Sequence, residues 1–190
     1  GNNSITDGIF LDFMHEFLHA YEDLQRLSKH NKSLLDYNTS VNYLDYNSKR
    51  VDASKNNAKS INRLCTLFHF FNKTEIRALI SQLSGEIQSK DEFELDQFGI
   101  KNFITNTKSW EQIEDSEYTV NLIKNCDDII CQNELVSIFN KHSVRAKVKN
   151  FNELVKFLEN KMFYVKQYVF KKVSKIIANR QQAILEKCVF

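Results

Sequence analysis

The residues of this chain best placed to do chemistry are His15, Glu16 and His19, which stand in the string His-Glu-Phe-Leu-His. On a helix, residues four apart lie on one face, one turn from each other, so the two imidazoles could share a zinc ion. Glu16 would then serve as general base towards the zinc-bound water, the arrangement of metal-assisted hydrolysis. The same positions have a plainer reading. Both histidines stand beside an apolar series that includes Phe13 and Phe17, where an imidazole covers hydrophobic surface and keeps its polar edge in water.

The string and its uncharged flanks, Met14, Phe17, Leu18, Ala20 and Tyr21, resemble the zinc metallopeptidases. That resemblance implies a third metal ligand, and the downstream candidates Glu22, Asp23, His30, Asp36 and Asp45 fall in no extended ligand pattern. Glu16 and His19 also spell the Glu-x-x-His unit of di-iron bundles, which need a second such unit, and none occurs. Arg63 and His69 resemble the arginine and histidine pair of HEPN-type ribonucleases, themselves helical bundles. Here Leu64 takes the usually polar place after the arginine, and Leu67, Phe68, Phe70 and Phe71 surround His69 as they would a core histidine. Cys126 and Cys131, five apart, would point about 140° from each other on a continuous helix, which argues against a shared zinc site.

Charge gives the chain its strongest asymmetry. The net charge is +2, yet residues 1–140 carry −7 and residues 141–190 carry +9. Between Glu86 and Glu134 there are 12 acids and 4 bases. The C-terminal region interleaves Lys156, Lys161, Lys166, Lys171, Lys172, Lys175, Arg180 and Lys187 with Phe157, Phe163, Tyr164, Tyr168 and Phe170. Cations among aromatics suit anionic lipid headgroups, nucleic-acid phosphates or an acidic protein surface. They equally suit a core helix with a solvated lysine face, docked on the chain's own acidic middle.

The elements that would carry these residues read as helices. The 190 residues contain no proline and only four glycines, so no residue locks φ against a helix or removes a donor from its interior. Apolar residues recur at threes and fours from Phe10 through Phe13, Phe17, Ala20 and Leu24 to Ile61, Cys65 and Phe68. This seam predicts one long helix, or two broken at the polar run 54–57. Asn72 or Thr74 can cap a helix running towards Gly85, Ser89 and Glu92 form a capping box, and Ser109 can cap a segment that breaks near Asp127 and Asp128. The connector 143–150 alternates Val144, Ala146 and Val148 with basic residues and admits a short strand. From Asn152 a final helix runs on Val155, Leu158, Met162, Val165, Val169, Val173, Ile176 and Ala183.

Taken together, the sequence predicts an all-α protein, an elongated bundle of about four to six helices with long N- and C-terminal helices. It forms one domain over residues 1–190, with 1–6 set aside as an end outside the fold. No apolar stretch reaches the ~20 residues that span a bilayer, and four sparse cysteines suit free thiols and an intracellular setting. The expected function is non-enzymatic: a helical interaction, scaffold or adaptor module for a partner protein. Lys156, Lys161, Lys166, Lys171, Lys172, Lys175 and Arg180 form its interaction surface, with contact to an anionic membrane as an addition. The alternatives are a zinc metallopeptidase, with His15 and His19 as ligands and Glu16 as base, and a nucleic-acid-binding or HEPN-like ribonuclease domain. No cofactor is expected outside the zinc alternative. Protein purified without added zinc or a histidine tag is therefore expected to hold substoichiometric zinc by metal analysis, unchanged in His15→Ala. One zinc per chain, lost in both His15→Ala and His19→Ala, would establish the hydrolytic site instead.

Overall fold

The computed structural model describes residues 57–88, 97–143 and 146–188, together with Phe13, Glu16, Phe17, Ala20, Tyr21, Leu24 and Gln25. These residues form an all-α fold. Six helices follow in order: α1 (Ala58–Phe70), α2 (Lys73–Gln88), α3 (Gln97–Thr105), α4 (Glu111–Lys124), α5 (Ile129–His142) and α6 (Phe151–Cys188). A short 3₁₀ turn, η1 (Lys108–Trp110), precedes α4. The described positions from Phe13 to Gln25 are also helical. By its contacts the chain divides into two compact units, one of Gly1–Ala20, Lys73–Glu114 and Tyr164–Phe190, the other of Tyr21–Asn72 and Asp115–Phe163.

In the first unit, α2 buries Ile76, Leu79, Leu83 and Ile87, whose spacing of three and four draws one stripe along a helix. The helix does not stop at Gly85. It continues to Gln88, and that extra turn places Glu86 where its carboxylate meets η1. One oxygen accepts the Ser109 amide at 2.8 Å and also the Ser109 hydroxyl. The other accepts the Lys108 amide at 2.8 Å. Amides at the start of a helical segment have no partner within it, and the positive end of the helix dipole favours a carboxylate. Ser109 is thus not the cap that its position before an apolar series suggests; it donates to Glu86, and α4 starts after it. The turn held this way puts Trp110 and Ile113 into the core.

In the second unit, α1 buries Ala58, Ile61, Leu64 and Leu67 and packs on α5. Phe139 of α5 is fully buried, with its ring 5.7 Å from that of Phe68 and 4.9 Å from that of Phe157, edge to face. Asn57, just ahead of α1, sends its side-chain amide to Glu134 of α5 at 2.9 Å instead of capping its own helix. The α4 to α5 break falls where the two aspartates predict it, and the Asp128 carboxylate accepts the Ile130 amide at 2.9 Å as the α5 cap.

The connector after α5 forms no strand among its described residues, and the reason is local. Asn140 donates its amide to the Val148 carbonyl at 2.7 Å and accepts the Val148 amide at 2.9 Å. This side chain takes both hydrogen bonds that a neighbouring strand would offer. Lys147 donates to the Ser143 carbonyl at 2.9 Å and to the Asn140 carbonyl, covering the acceptors left at the end of α5. The last helix then opens on Asn150, not Asn152: Asn150 accepts the Glu153 amide at 2.9 Å, while Glu153 accepts the Lys149 amide at 2.8 Å. The arrangement is a variant of the capping box, with the return bond made to the residue before the cap and not to the cap itself.

Two sequence expectations fall largely or wholly elsewhere. Most of the long N-terminal seam, and the Ser89 and Glu92 box, lie outside the described residues. Phe13 and Phe17, the described phenylalanines of that seam, are 62% and 56% exposed, with rings stacked 6.2 Å apart, so they stand open where the periodicity suggests a buried stripe.

Phe139→Ala removes a ring with no exposed surface, and it is expected to destabilise the protein by about 3–5 kcal/mol. A urea midpoint within error of the unsubstituted chain would show that the three-ring cluster contributes little.

Candidate interaction face

The longest element, α6, has 38 residues and buries Leu154, Leu158, Met162, Val165, Val169, Val173 and Ile177. Leu154 and Ile177 take the places that the sequence assigns to Val155 and Ile176, which are half-buried. The five positions between them are those that the sequence predicts, so the side left open is also the one it implies.

At 100° per residue, Lys171, Tyr164, Lys175, Tyr168 and Lys172 fall within an arc of about 100°, centred about 120° from the middle of the buried stripe, with Lys172 at the stripe's edge. All five belong to the first unit and all are exposed, Tyr164 by 68% and Tyr168 by 43%. The Lys172 ammonium sits 5.5 Å from the centre of the Tyr168 ring, a cation–π contact worth about 0.5–1 kcal/mol at an exposed site. From 161 to 185 the sequence holds six bases and no acid. Among the described residues, no carboxylate pairs with Lys171 or Lys175.

The other predicted cations are placed differently. Lys156 is exposed, whereas Lys161 is half-buried. Lys166 is also half-buried and, by helical geometry, lies on the side of the buried stripe. The side chain of Arg180 lies outside the described residues. Among the aromatics, Phe157 belongs to the Phe139 core, while Phe163 is 60% exposed. Docking of the basic helix on the acidic middle takes an unexpected form in the second unit. There Lys124, from the acidic segment, pairs at 2.8 Å with Glu159, from the basic helix. Both side chains are about half exposed, so this pair is worth little.

The remaining motifs disperse. His15 and His19 lie outside the described residues, and Glu16 occupies an exposed helical position. Among the described residues, no group of three or more His, Cys, Asp or Glu could hold a metal ion. Arg63 and His69 both belong to α1, where six residues leave them about 120° apart around the helix, so they do not share a face. His69 is exposed, not the core histidine that its apolar neighbours suggest.

The placement of two cysteines is not visible from sequence spacing alone. Because α4 ends at Lys124 and α5 starts at Ile129, Cys126 and Cys131 do not share a helix. The turn returns the chain on itself: the Cys126 amide bonds to the Ile123 carbonyl at 3.0 Å, and the Cys126 carbonyl accepts from the Gln132 side chain at 2.6 Å. The Cys126 sulfur approaches the Asp128 carbonyl at 3.9 Å, while Cys131 is buried in the first turn of α5. Burial pushes the Cys131 thiol up to about 11. Burial also raises Cys65. All three are free thiols. The sequence signal was the predicted break at Asp127 and Asp128, which cancels the 140° separation that one continuous helix would impose.

No protein family matches the chain, and no curated protein or solved structure does either. No described helix is long and apolar enough to cross a membrane. Lys171, Lys172 and Lys175 are exposed, so replacing all three with glutamate is expected to shift the unfolding free energy by no more than about 0.5 kcal/mol at Lys171 and Lys175 and about 1 kcal/mol at Lys172, where the contact with Tyr168 is lost. Loss of the helical circular-dichroism signal in that variant would show that the lysines hold the fold.

Proposed function

We propose that this chain is a non-enzymatic helical interaction module that binds an acidic partner protein through the tyrosine and lysine face of α6. One observation carries the reading: two exposed tyrosines lie on one arc with three lysines, two of which have no carboxylate partner among the described residues. Tyrosine supplies large, stiff contact area with a polar end, and unpaired lysines steer an oppositely charged surface into register. The exposed Phe13 and Phe17 add apolar surface of the kind found where proteins meet.

The chemistry of the face favours protein over the other anionic targets. A helix that lies in a bilayer commits its apolar side to lipid, whereas α6 buries that side in its own core. A single-strand binder needs open ring faces for bases to stack on, and Lys172 already covers one of these tyrosines. The face presents lysines in place of the planar arginine forks that grip phosphate.

The test compares three probes at one ionic strength: an acidic amphipathic helical peptide, phosphatidylserine vesicles and a single-stranded oligonucleotide. The peptide is expected to bind, more weakly as salt rises. Lys171→Glu with Lys172→Glu and Lys175→Glu should reduce its affinity tenfold or more, about 1.4 kcal/mol or above. Vesicle flotation or oligonucleotide binding in the absence of peptide binding would reassign the face to lipid or nucleic acid.

A further inference from the structure

We infer, on the reading of α6 as a protein-binding face, that its acidic partner is a second copy of this chain, which presents the outer face of α4. That helix runs unbroken from Glu111 to Lys124 and buries Ile113, Ser116, Val120 and Ile123. At 100° per residue, Glu114, Tyr118, Glu111 and Asp115 fall within an arc of about 100°, nearly opposite the middle of that buried stripe. All four are exposed, Tyr118 by 62%. Among the described residues, no lysine or arginine pairs with Glu111, Glu114 or Asp115.

The two faces match in sign, width and chemistry. Three carboxylates and a tyrosine on α4 answer three lysines and two tyrosines on α6. At 1.5 Å per residue the α4 set rises about 10 Å along its axis and the α6 set about 16 Å, so the shorter fits within the longer. Opposite charge brings α4 to α6 and penalises the pairing of either face with its own kind. The tyrosines supply contact area that charge alone lacks. The helix dipole gives the first-turn carboxylates Glu111 and Glu114 a role within the chain. It gives none to Asp115 or to an open Tyr118 ring. Because the patch on one copy differs from the patch on the other, the contact is heterologous and closes to a ring or extends from copy to copy. Faces of this size stand at the small end of protein interfaces, where association is transient, and salt weakens it.

Sedimentation velocity of the full-length chain, at concentrations up to about 1 mM, reads the association. Dimers or larger species are expected, and they should dissociate as salt rises. Glu111→Lys with Glu114→Lys and Asp115→Lys is expected to weaken self-association about tenfold or more, while the α6 face still binds the acidic helical peptide. Lys171→Glu with Lys172→Glu and Lys175→Glu should weaken both. Mixed in equal amounts, the two variants are expected to associate with each other, since one keeps the basic face and the other the acidic one. A chain that is monomeric at about 1 mM yet binds the peptide would overturn the inference and leave the reading of α6 standing; loss of peptide binding as well would remove both. Self-association that survives the α4 substitutions, or a mixture that stays monomeric, overturns it too. Should a variant fail to fold, carbodiimide cross-linking of isotopically heavy and light unsubstituted chains decides by itself. Links from Lys171, Lys172 or Lys175 of one copy to Glu111, Glu114 or Asp115 of the other are expected, and intermolecular links confined to other residues would overturn the inference.

Discussion

A fold made of helices has to dispose of the four amides and four carbonyls that each helix end leaves without a partner inside the helix. Side chains meet that constraint at several of the described helix ends, though not at the start of α1. Glu86 takes up the amides that open η1, Asp128 caps α5, Lys147 covers the end of α5, and Asn150 with Glu153 opens α6. Where these contacts fall decides where each helix stops. The stops in turn decide which residues meet: Trp110 enters one core, and Phe139 meets Phe68 and Phe157 in the other.

The second organising feature is the stripe that α6 buries from Leu154 to Ile177. Burial of one side leaves the other to solvent, and on that other side chemistry collects without any catalytic arrangement. Tyrosines and lysines need no strain or close approach to be useful. Their value lies in being held open at fixed angles by a rod whose rotation the core has already set.

Much of this was legible in the residues. The absence of proline, the three-and-four spacing and the capping signals give the helices, the break at Asp127 and Asp128, and the late long helix. The failures have a common physical origin in contacts that sequence spacing does not announce. Ser109 reads as a cap until Glu86, 23 residues earlier, claims its amide and hydroxyl. The connector reads as a strand until Asn140 binds both polar groups of Val148. His69 reads as buried because four apolar neighbours surround it in sequence, yet α1 turns it outward. For the interaction face, charge and aromatic content were visible at once, and the phase of the buried stripe sets Lys166 apart from Tyr164 and Lys171, but Phe157 shares the open side's angle and is withdrawn from it only by its contact with Phe139. A shift of one residue in that phase would have chosen another set.

The same phase governs how this region tolerates change over generations. Substitutions on the open side of α6 alter what the face presents and little else, so its chemistry is free to drift. Length is another matter. Inserting or deleting one residue between Leu154 and Tyr164 turns everything beyond it by about 100°, carrying the lysines inward and the stripe outward together. Seven residues restore the alignment to within about 20°. The face can therefore be repainted residue by residue, whereas the helix beneath it can lengthen or shorten only in near-whole turns.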